Sequence, residues 1–377
     1  MATSQPIPKV LHCHSTFDAG GKELRAVQLI NAFGDQLHHT IISDDPEQMG
    51  ARAYLDRSVK VDFPDFPPLT GLPTPGRLVA IAKAIADYDL ILTYNWGAMD
   101  VAMAHTVFGD AFNLPPLIHH EDGFNEDEAH ALKPRRNWYR RIALGRARNV
   151  VVPSQTLEGI AQNHWKCPPR QLQRIANGID TRAFARAPKP GALRLVKRGG
   201  EHWVGTLAGL RPVKQLQLLV RAAAQMPSDW HLVIIGDGPQ RDAIRAEVDA
   251  LEISHRVHLP GAVTDPVSVI GLFDIFALSS DSEQFPLSVV EAMAASLPVV
   301  APDVGDVKAI VARDNQRFIA PGNDPDQLAG PLIELAASPD LRRDLGRANR
   351  DKARAQFDRS AMVEAYRALY FGAIERP

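Results

Sequence analysis

Residues 282–306 read SEQFPLSVVEAMAASLPVVAPDVGD. An acidic, polar opening passes into Leu287–Ala295, which has the apolar spacing of a helix. A continuous apolar run, Val299–Ala301, follows and reads as a buried strand. Upstream, Ile275–Ser279 is another such run. Strand, helix and strand in this order form a crossover unit, whose natural home is a parallel sheet covered on both faces.

The same alternation extends outward in both directions. Trp203–Leu207, Leu232–Gly236 and Val257–Leu259 read as further strands, with helices over Gln215–Gln225 and Gln240–Leu251. An earlier set comprises Val10–His14, Thr40–Ser43, Leu90–Tyr94, Pro116–His119 and Val150–Pro153, with helices that include Glu23–Phe33 and Arg77–Ala86. Between the sets lies Arg182–Arg198, rich in Ala, Pro and basic residues and without a clear period. The chain has 377 residues, and one core rarely grows past roughly 250–300. The expected architecture is α/β: two Rossmann-like, doubly wound parallel-sheet domains, 1–188 and 189–377. A final amphipathic helix, 360–371, could pack back on the first domain. Ligand crevices are then expected at the C-terminal ends of the strands, in a cleft between the domains.

Composition excludes several classes. Lys plus Arg is 42 and Asp plus Glu is 44, a net charge of −2, which argues against a bulk nucleic-acid binder. The two cysteines, Cys13 and Cys167, cannot build a disulfide framework or a Cys-rich zinc site. No stretch reaches the roughly 18 apolar residues of a membrane span, and MATSQPIPKV has no apolar signal core. A cytoplasmic protein is expected. One segment points to a membrane surface. Lys133–Arg148, KPRRNWYRRIALGRAR, interleaves basic residues with Trp138, Tyr139, Ile142 and Leu144. It fits a peripheral helix on the inner face of an anionic cell membrane, or a solvated helix packed on the sheet, with Glu126, Asp127 and Glu128 partly neutralising it.

Glu283 and Glu291 are eight positions apart, one in the loop after a strand and one inside the next helix. A carboxylate at a strand end can accept from sugar hydroxyls, and one in the following helix can take both ribose hydroxyls. The amides of Phe285 to Ser288 lie at the helix N-terminus, where an anionic phosphate is favoured. The whole run resembles the glutamate–seven–glutamate motif of the GT-B glycosyltransferases of family 4 (glycosyltransferase group 1, retaining). That family usually has Gly where this chain has Gln284, Ser296 and Asp306. Further blocks match in order. Val204–Lys214, VGTLAGLRPVK, resembles the block whose basic residues hold the donor diphosphate, which implies Arg211 and Lys214. Gly236, in IGDGP, and Pro260-Gly261-Ala262-Val263 resemble loops near the nucleotide.

The first domain is less explicit. Gly20-Gly21 after the first strand resembles the family's Gly-Gly loop facing the donor. It is not a dinucleotide fingerprint, so a dehydrogenase is disfavoured. Asn95, after Leu90–Tyr94, suits a sugar hydroxyl, with Trp96 either on a sugar face or in the core. His119-His120-Glu121-Asp122-Gly123 ends a strand where relatives carry a His. Alternation gives His120 and Asp122 the same parity and His119 the other, so His120 and Asp122 are preferred.

The resemblance implies transfer of a sugar from a nucleotide-diphosphate sugar, as co-substrate, to a hydroxyl acceptor on a glycan or lipid-linked molecule. Cell-envelope glycolipid or exopolysaccharide assembly is the expected setting. Catalytic roles fall to His120, Asp122, Arg211, Lys214 and Glu283. Substrate-binding roles fall to Gly20, Gly21, Asn95, Gly236, Gly261, Val263, Gln284, Phe285, Pro286, Leu287 and Glu291. No cofactor or metal ligand is assigned. Asp87-Tyr88-Asp89 fits an Asp-x-Asp pattern, but it begins a strand and so lies at the wrong sheet edge. Two rivals stay open: a non-catalytic nucleotide-sugar-binding or scaffold subunit, and a GT-B-fold sugar-nucleotide epimerase.

Overall fold

The computed structural model describes residues 6–124, 128, 131–189 and 191–375. Of the acidic trio beside the basic helix, Glu126 and Asp127 lie outside these residues. The chain divides into two compact units, Met1–Ala176 with Met362–Pro377, and Asn177–Ala361. The division precedes the Ala- and Pro-rich stretch because Ile179 is tied to the end of the second unit. Its amide donates to Phe357 O at 3.0 Å, and Arg359 N donates to Ile179 O at 2.8 Å.

The first unit holds a seven-stranded parallel sheet. Its strands are β1 (Lys9–His14), β2 (His38–Ser43), β3 (Val61–Asp62), β4 (Leu90–Tyr94), β5 (Leu117–His120), β6 (Asn149–Val152) and β7 (Leu172–Arg174), in the order β3-β2-β1-β4-β5-β6-β7. Alternation splits the sheet's apolar side chains between two cores. Leu11, Cys13, Ile91 and Leu117 pack with the helices Pro75–Ile85 and Met99–Phe112. Val10, Leu90, Leu92, Tyr94 and Ile118 pack with Ala26, Leu29 and Phe33, and with Met362, Tyr366 and Tyr370 of the helix Arg359–Ile374. Burial on both faces is why these strands read as continuous apolar runs.

The second unit repeats the plan with six parallel strands. They are β8 (His202–Leu207), β9 (Trp230–Ile235), β10 (Val257–Gly261), β11 (Ile275–Ala277), β12 (Val299–Pro302) and β13 (Ile319–Ala320), in the order β10-β9-β8-β11-β12-β13. Helices at Leu216–Ala224, Arg241–Ala250 and Leu287–Ala294 connect them. The expected α/β, doubly wound architecture is present in both units. Each sheet reverses its strand order once, between β1 and β4 and between β8 and β11. In open α/β sheets the ligand crevice opens beyond the C-terminal ends of the strands at such a switch point. The loops after these four strands are therefore where chemistry is to be sought.

Candidate functional site

In the second unit, β8 leads through Ala208–Leu210 to Arg211 and a 3₁₀ turn, Pro212–Lys214. β11 leads to Ser279–Glu283. The two loops are stitched together. Ser279 Oγ donates to Lys214 O at 2.8 Å, Asp281 N donates to Val213 O at 2.9 Å, and Gln215 Nε2 donates to Asp281 Oδ2 at 2.6 Å. Asn323 Nδ2 donates to Ser279 O and to Asp281 Oδ1, both at 2.8 Å. The result places Lys214 Nζ 2.5 Å from Glu283 Oε1, which also accepts from Ser280 Oγ at 2.7 Å. Ammonium and carboxylate thus meet at the switch point. Arg211 beside them is exposed and forms no ion pair with a described residue.

The loop after β9 buttresses this arrangement. Leu210 N donates to Asp237 O at 2.9 Å, and Gln240 N donates to Leu210 O at 2.9 Å. Gly236 has φ +154°, and a Cβ there would lie 1.9 Å from Ala208 O. Only glycine allows that approach. Gly236 N donates to Gly261 O at 3.0 Å, which aligns the β10 loop carrying Val263.

The helix Leu287–Ala294 begins at Pro286, which supplies no side-chain cap. The first amides of a helix have no acceptor within it, so Leu287 and Ser288 present free donors. Phe285 is fixed edge-on against Phe357, with ring centres 5.6 Å apart. Gln284 Oε1 is buried and unpartnered. One turn inside the helix, Glu291 forms no hydrogen bond or ion pair with a described residue. Burial alone pushes its carboxyl up to about 7. A half-buried carboxylate without a partner is costly unless a ligand completes it.

The three departures from the usual glycines fare differently. Ser296 sits at φ +65° just after this helix, a conformation that favours glycine. Asp306 has an ordinary φ of −98°. The neighbouring Gly305, at φ +53°, is the one that needs to lack a side chain, since a Cβ would lie 2.0 Å from Glu283 O.

In the first unit, Gly20 caps the helix Gly21–Phe33 without a side-chain bond. Lys22 and Glu23 pair beside it. A Cβ on Gly20 would lie 2.6 Å from Glu23 Oε2, whereas one on Gly21 would meet open space. Asn95, just after β4, has φ 52° and ψ −167°. That region is nearly exclusive to glycine, and strain of this kind concentrates at functional sites. The strain is held by two bonds to the β5 loop: Asn95 N donates to His120 O and Asp122 N donates to Asn95 Oδ1, each at 2.8 Å. Trp96 lies beneath the Arg136 and Arg140 guanidiniums, each 5.0 Å from its ring.

His119 and His120 point to opposite faces, as strand alternation requires. His119 Nδ1 is 2.9 Å from Thr93 Oγ1 and its Nε2 is 3.7 Å from Glu121 Oε2. His120 Nδ1 donates to Thr93 O at 3.2 Å, so its Nε2 accepts from Tyr370 Oη at 2.9 Å. Both rings are fully buried, and burial holds His120 well below the usual imidazole range. Asp122 shares the side of His120 and forms a two-pronged pair with Arg25, whose Nη2 is 2.8 Å from Oδ2.

No local pattern marked Arg25, nor the chain of rings beyond it. His39 Nδ1 bonds His12 Nε2 at 3.1 Å, and His12 Nδ1 bonds Tyr94 Oη at 3.1 Å. Tyr94 bonds Tyr370, and Tyr370 bonds His120. Ser280 and Asn323 were also silent. Short polar residues are common in loops, and only the tertiary structure brings them to Glu283 and Asp281. Asp89 accepts from Lys9 N at 2.7 Å at the N-terminal end of β4. Among the described residues no cluster of His, Cys, Asp and Glu has the arrangement of a metal site, and no described helix is long and apolar enough to cross a membrane.

Residues 194–352 match the family described as glycosyl transferases group 1, and residues 19–183 match glycosyltransferase family 4. The chain is 27% identical over 237 residues to N-acetyl-alpha-D-glucosaminyl L-malate synthase of Bacillus anthracis, an alignment spanning 61% of each chain. It is also 27% identical over 331 residues to a GDP-mannose-dependent alpha-(1-6)-phosphatidylinositol monomannoside mannosyltransferase of Mycobacterium tuberculosis, covering 83% of this chain and 84% of that one. Two solved structures share the fold. Anabaena HepE in complex with UDP superposes with a TM-score of 0.78 at 19% identity, covering 97% of this chain and 100% of that one. Sucrose-phosphate synthase of Thermosynechococcus elongatus gives 0.78 at 22%, covering 98% and 100%. With two family matches that together span most of the chain, and with both doubly wound sheets in place, the chain belongs to the GT-B glycosyltransferases of family 4, the glycosyl transferases group 1.

Proposed function

We propose that the protein transfers a sugar from a nucleoside-diphosphate sugar to an acceptor hydroxyl, with retention of anomeric configuration and without a metal ion. The observation that carries this reading is Glu291. It is unpaired, held up to about 7 by burial, and in the helix that follows the Lys214–Glu283 pair. A ribose diol donating two hydrogen bonds would satisfy it. Arg211, Lys214 and the amides of Leu287 and Ser288 would take the diphosphate. Glu283, already accepting from Ser280, would take a hydroxyl of the transferred sugar.

In the transfer the bond from the anomeric carbon to the diphosphate oxygen breaks. The bond to the acceptor oxygen forms on the same face, and the acceptor proton passes to the leaving diphosphate. Charge growing on that diphosphate is stabilised by the fixed cations and amides, which is electrostatic preorganisation. Two cations supply what a divalent ion supplies elsewhere. A relative named a GDP-mannose-dependent phosphatidylinositol monomannoside mannosyltransferase, and fold neighbours solved with UDP and UDP-glucose, support donors of this class, and the first also supports a glycolipid acceptor; a role in envelope glycolipid or polysaccharide assembly is part of the proposal.

A peripheral site on an anionic membrane is part of the proposal. In the helix Pro134–Ala143, Arg136 and Arg140 turn inward to Glu128, and Tyr139 bonds Asp100. Arg135, Trp138, Arg141 and Ile142 are left exposed. A tryptophan flanked by arginines suits a headgroup layer. Trp138→Ala should weaken sedimentation with anionic vesicles, and equal binding to neutral vesicles would remove this part.

The test of function is transfer itself, read by proton NMR of the product anomer in excess chelator. A product of inverted configuration excludes retention. Loss of transfer in chelator, restored by manganese, brings metal chemistry back. Conversion of the donor without acceptor favours an epimerase, and absence of donor binding favours a scaffold.

A further inference from the structure

After β2 ends at Ser43 the chain loops through residues 44–54. It returns as β3 and continues as Phe63-Pro64-Asp65-Phe66-Pro67-Pro68-Leu69. The two stretches enclose a cavity of about 400 Å³, a size suited to a small ligand. It opens at the C-terminal end of β2, the ligand-binding edge of a parallel sheet. Ile42, Met49, Phe63, Phe66 and Pro67 give it an apolar wall. Pro46, Pro64, Pro67 and Pro68 line it and restrict the backbone, so the space does not close easily.

One cation, the exposed Arg52, stands at the edge of this cavity. The Arg52 guanidinium lies 4.6 Å from the centre of the Phe63 ring. It forms no hydrogen bond or ion pair with a described residue. Asp44, which also lines the cavity, is already engaged, accepting from Leu69 N at 2.7 Å and from Thr70 Oγ1. Asp65, exposed at the rim like Arg52, forms no ion pair with a described residue, and its charge would oppose an anion there. Arg52 therefore keeps its donors free while its flat face is held by an aromatic ring.

The cavity wall is also bonded to the loop that carries Gly20. Phe17 N donates to Gln48 O at 2.9 Å, and Ala51 N donates to Phe17 O at 3.0 Å. A Cβ on Gly50 would lie 2.1 Å from Asp18 Oδ1, so the two loops touch.

We propose that this cavity anchors the acceptor: it takes a molecule with an apolar segment and an anionic group, phosphate or carboxylate, with the anion on Arg52. This rests on the transferase reading and gives that reading an acceptor class.

The experiment is calorimetry on the full chain without donor, using hexyl phosphate, hexanoate, inorganic phosphate and hexanol. At least one of the two amphiphiles should bind saturably, and inorganic phosphate and hexanol should bind about tenfold more weakly. Hexyl phosphate alone binding assigns a phosphate, and hexanoate alone assigns a carboxylate. Arg52→Gln should weaken the amphiphile about tenfold, and Asp65→Asn should tighten it. Met49→Trp should block it by filling the space. UDP binding in the same variants should be unchanged, which separates this site from the donor site. No binding of either amphiphile, inorganic phosphate or hexanol binding equally well, or indifference to Arg52→Gln each overturns the proposal. Amphiphile binding without UDP binding leaves the cavity intact and counts against the transferase reading instead.

Discussion

Lys214 Nζ lies 2.5 Å from Glu283 Oε1, so the cation expected on phosphate and the carboxylate expected on sugar are one ion pair. Donor binding must divide that pair between two ligand groups. Glu283→Gln frees the ammonium, so the bare nucleoside diphosphate should bind about 3- to 10-fold tighter, while the nucleotide sugar loses its hydroxyl contact and turns over slower. Lys214→Ala should weaken both ligands. It also leaves Glu283 with Ser280 alone, at a cost of about 1–3 kcal/mol in stability. Calorimetry on the two single variants and the double variant checks this. Additive effects on nucleotide binding would show that the pair is not split by the ligand.

Glu291 makes nucleotide binding a proton-linked event. Its carboxyl is pushed up to about 7 by burial. A ribose diol donating to it favours the ionised form and draws that value down, so binding below pH 7 releases a proton. Affinity for UDP should rise with pH through about 7 and level off above it. Calorimetry at pH 6 in buffers of different ionisation heat should register up to one proton released. In Glu291→Gln the release should drop to what the terminal phosphate of UDP contributes by itself, and affinity should fall. Proton uptake on binding would contradict the assignment.

Strand ends that carry chemistry were legible where a residue type and an element boundary coincide. Lys214, Glu283 and Glu291 flank continuous apolar runs, and both sheets followed from those runs. β3 and β13 have two residues each and β7 has three, Leu172–Arg174. Edge strands this short carry no period to read. The helix Met99–Phe112 is buried on all sides over Val101–His105, and Val107 is apolar yet exposed, which erases the amphipathic signal. Parity separated His119 from His120, but nothing local indicated that Tyr370, 250 positions away, would occupy His120 Nε2. The strain at Asn95 was likewise invisible, because its cause is the β5 loop bonded to it.

The buried ring chain should make the first unit acid-sensitive. Burial holds His12, His14 and His120 well below the usual imidazole range, with His39, Lys22 and Arg25 as their respective leading like charges. It lowers His39 to about 4, with His38 adding to the effect. Each folded value lies below the unfolded one, so the unfolded chain binds more protons. Stability is therefore complete above about pH 6.5 and falls as pH drops toward 4, by up to about 1.4 kcal/mol per pH unit for each histidine. Urea midpoints should decline from pH 7 to pH 5, and His39→Gln should flatten that decline. A midpoint independent of pH over this range would mean that the histidines are hydrated in solution.

Ser296 supplies the last prediction. Its φ of +65° follows the helix Leu287–Ala294, and its amide donates to Met293 O while Leu297 N donates to Ala292 O, both at 3.0 Å. This is a left-handed helix end of the kind that glycine closes without strain. A serine pays for the conformation, and its Oγ recovers little, since its contact to Arg350 Nη1 is 3.5 Å. Ser296→Gly should therefore stabilise the second unit by about 1 kcal/mol, and Ser296→Val should destabilise it by at least about as much, because a β-branched side chain fits this region worst. The backbone bonds are the same in both variants, so nucleotide affinity should stay at the wild-type value. Denaturant midpoints together with UDP calorimetry distinguish the outcomes. A destabilised Ser296→Gly would show that the hydroxyl contact outweighs the backbone strain, and altered UDP binding would show that this helix end is coupled to Glu291 five positions before it.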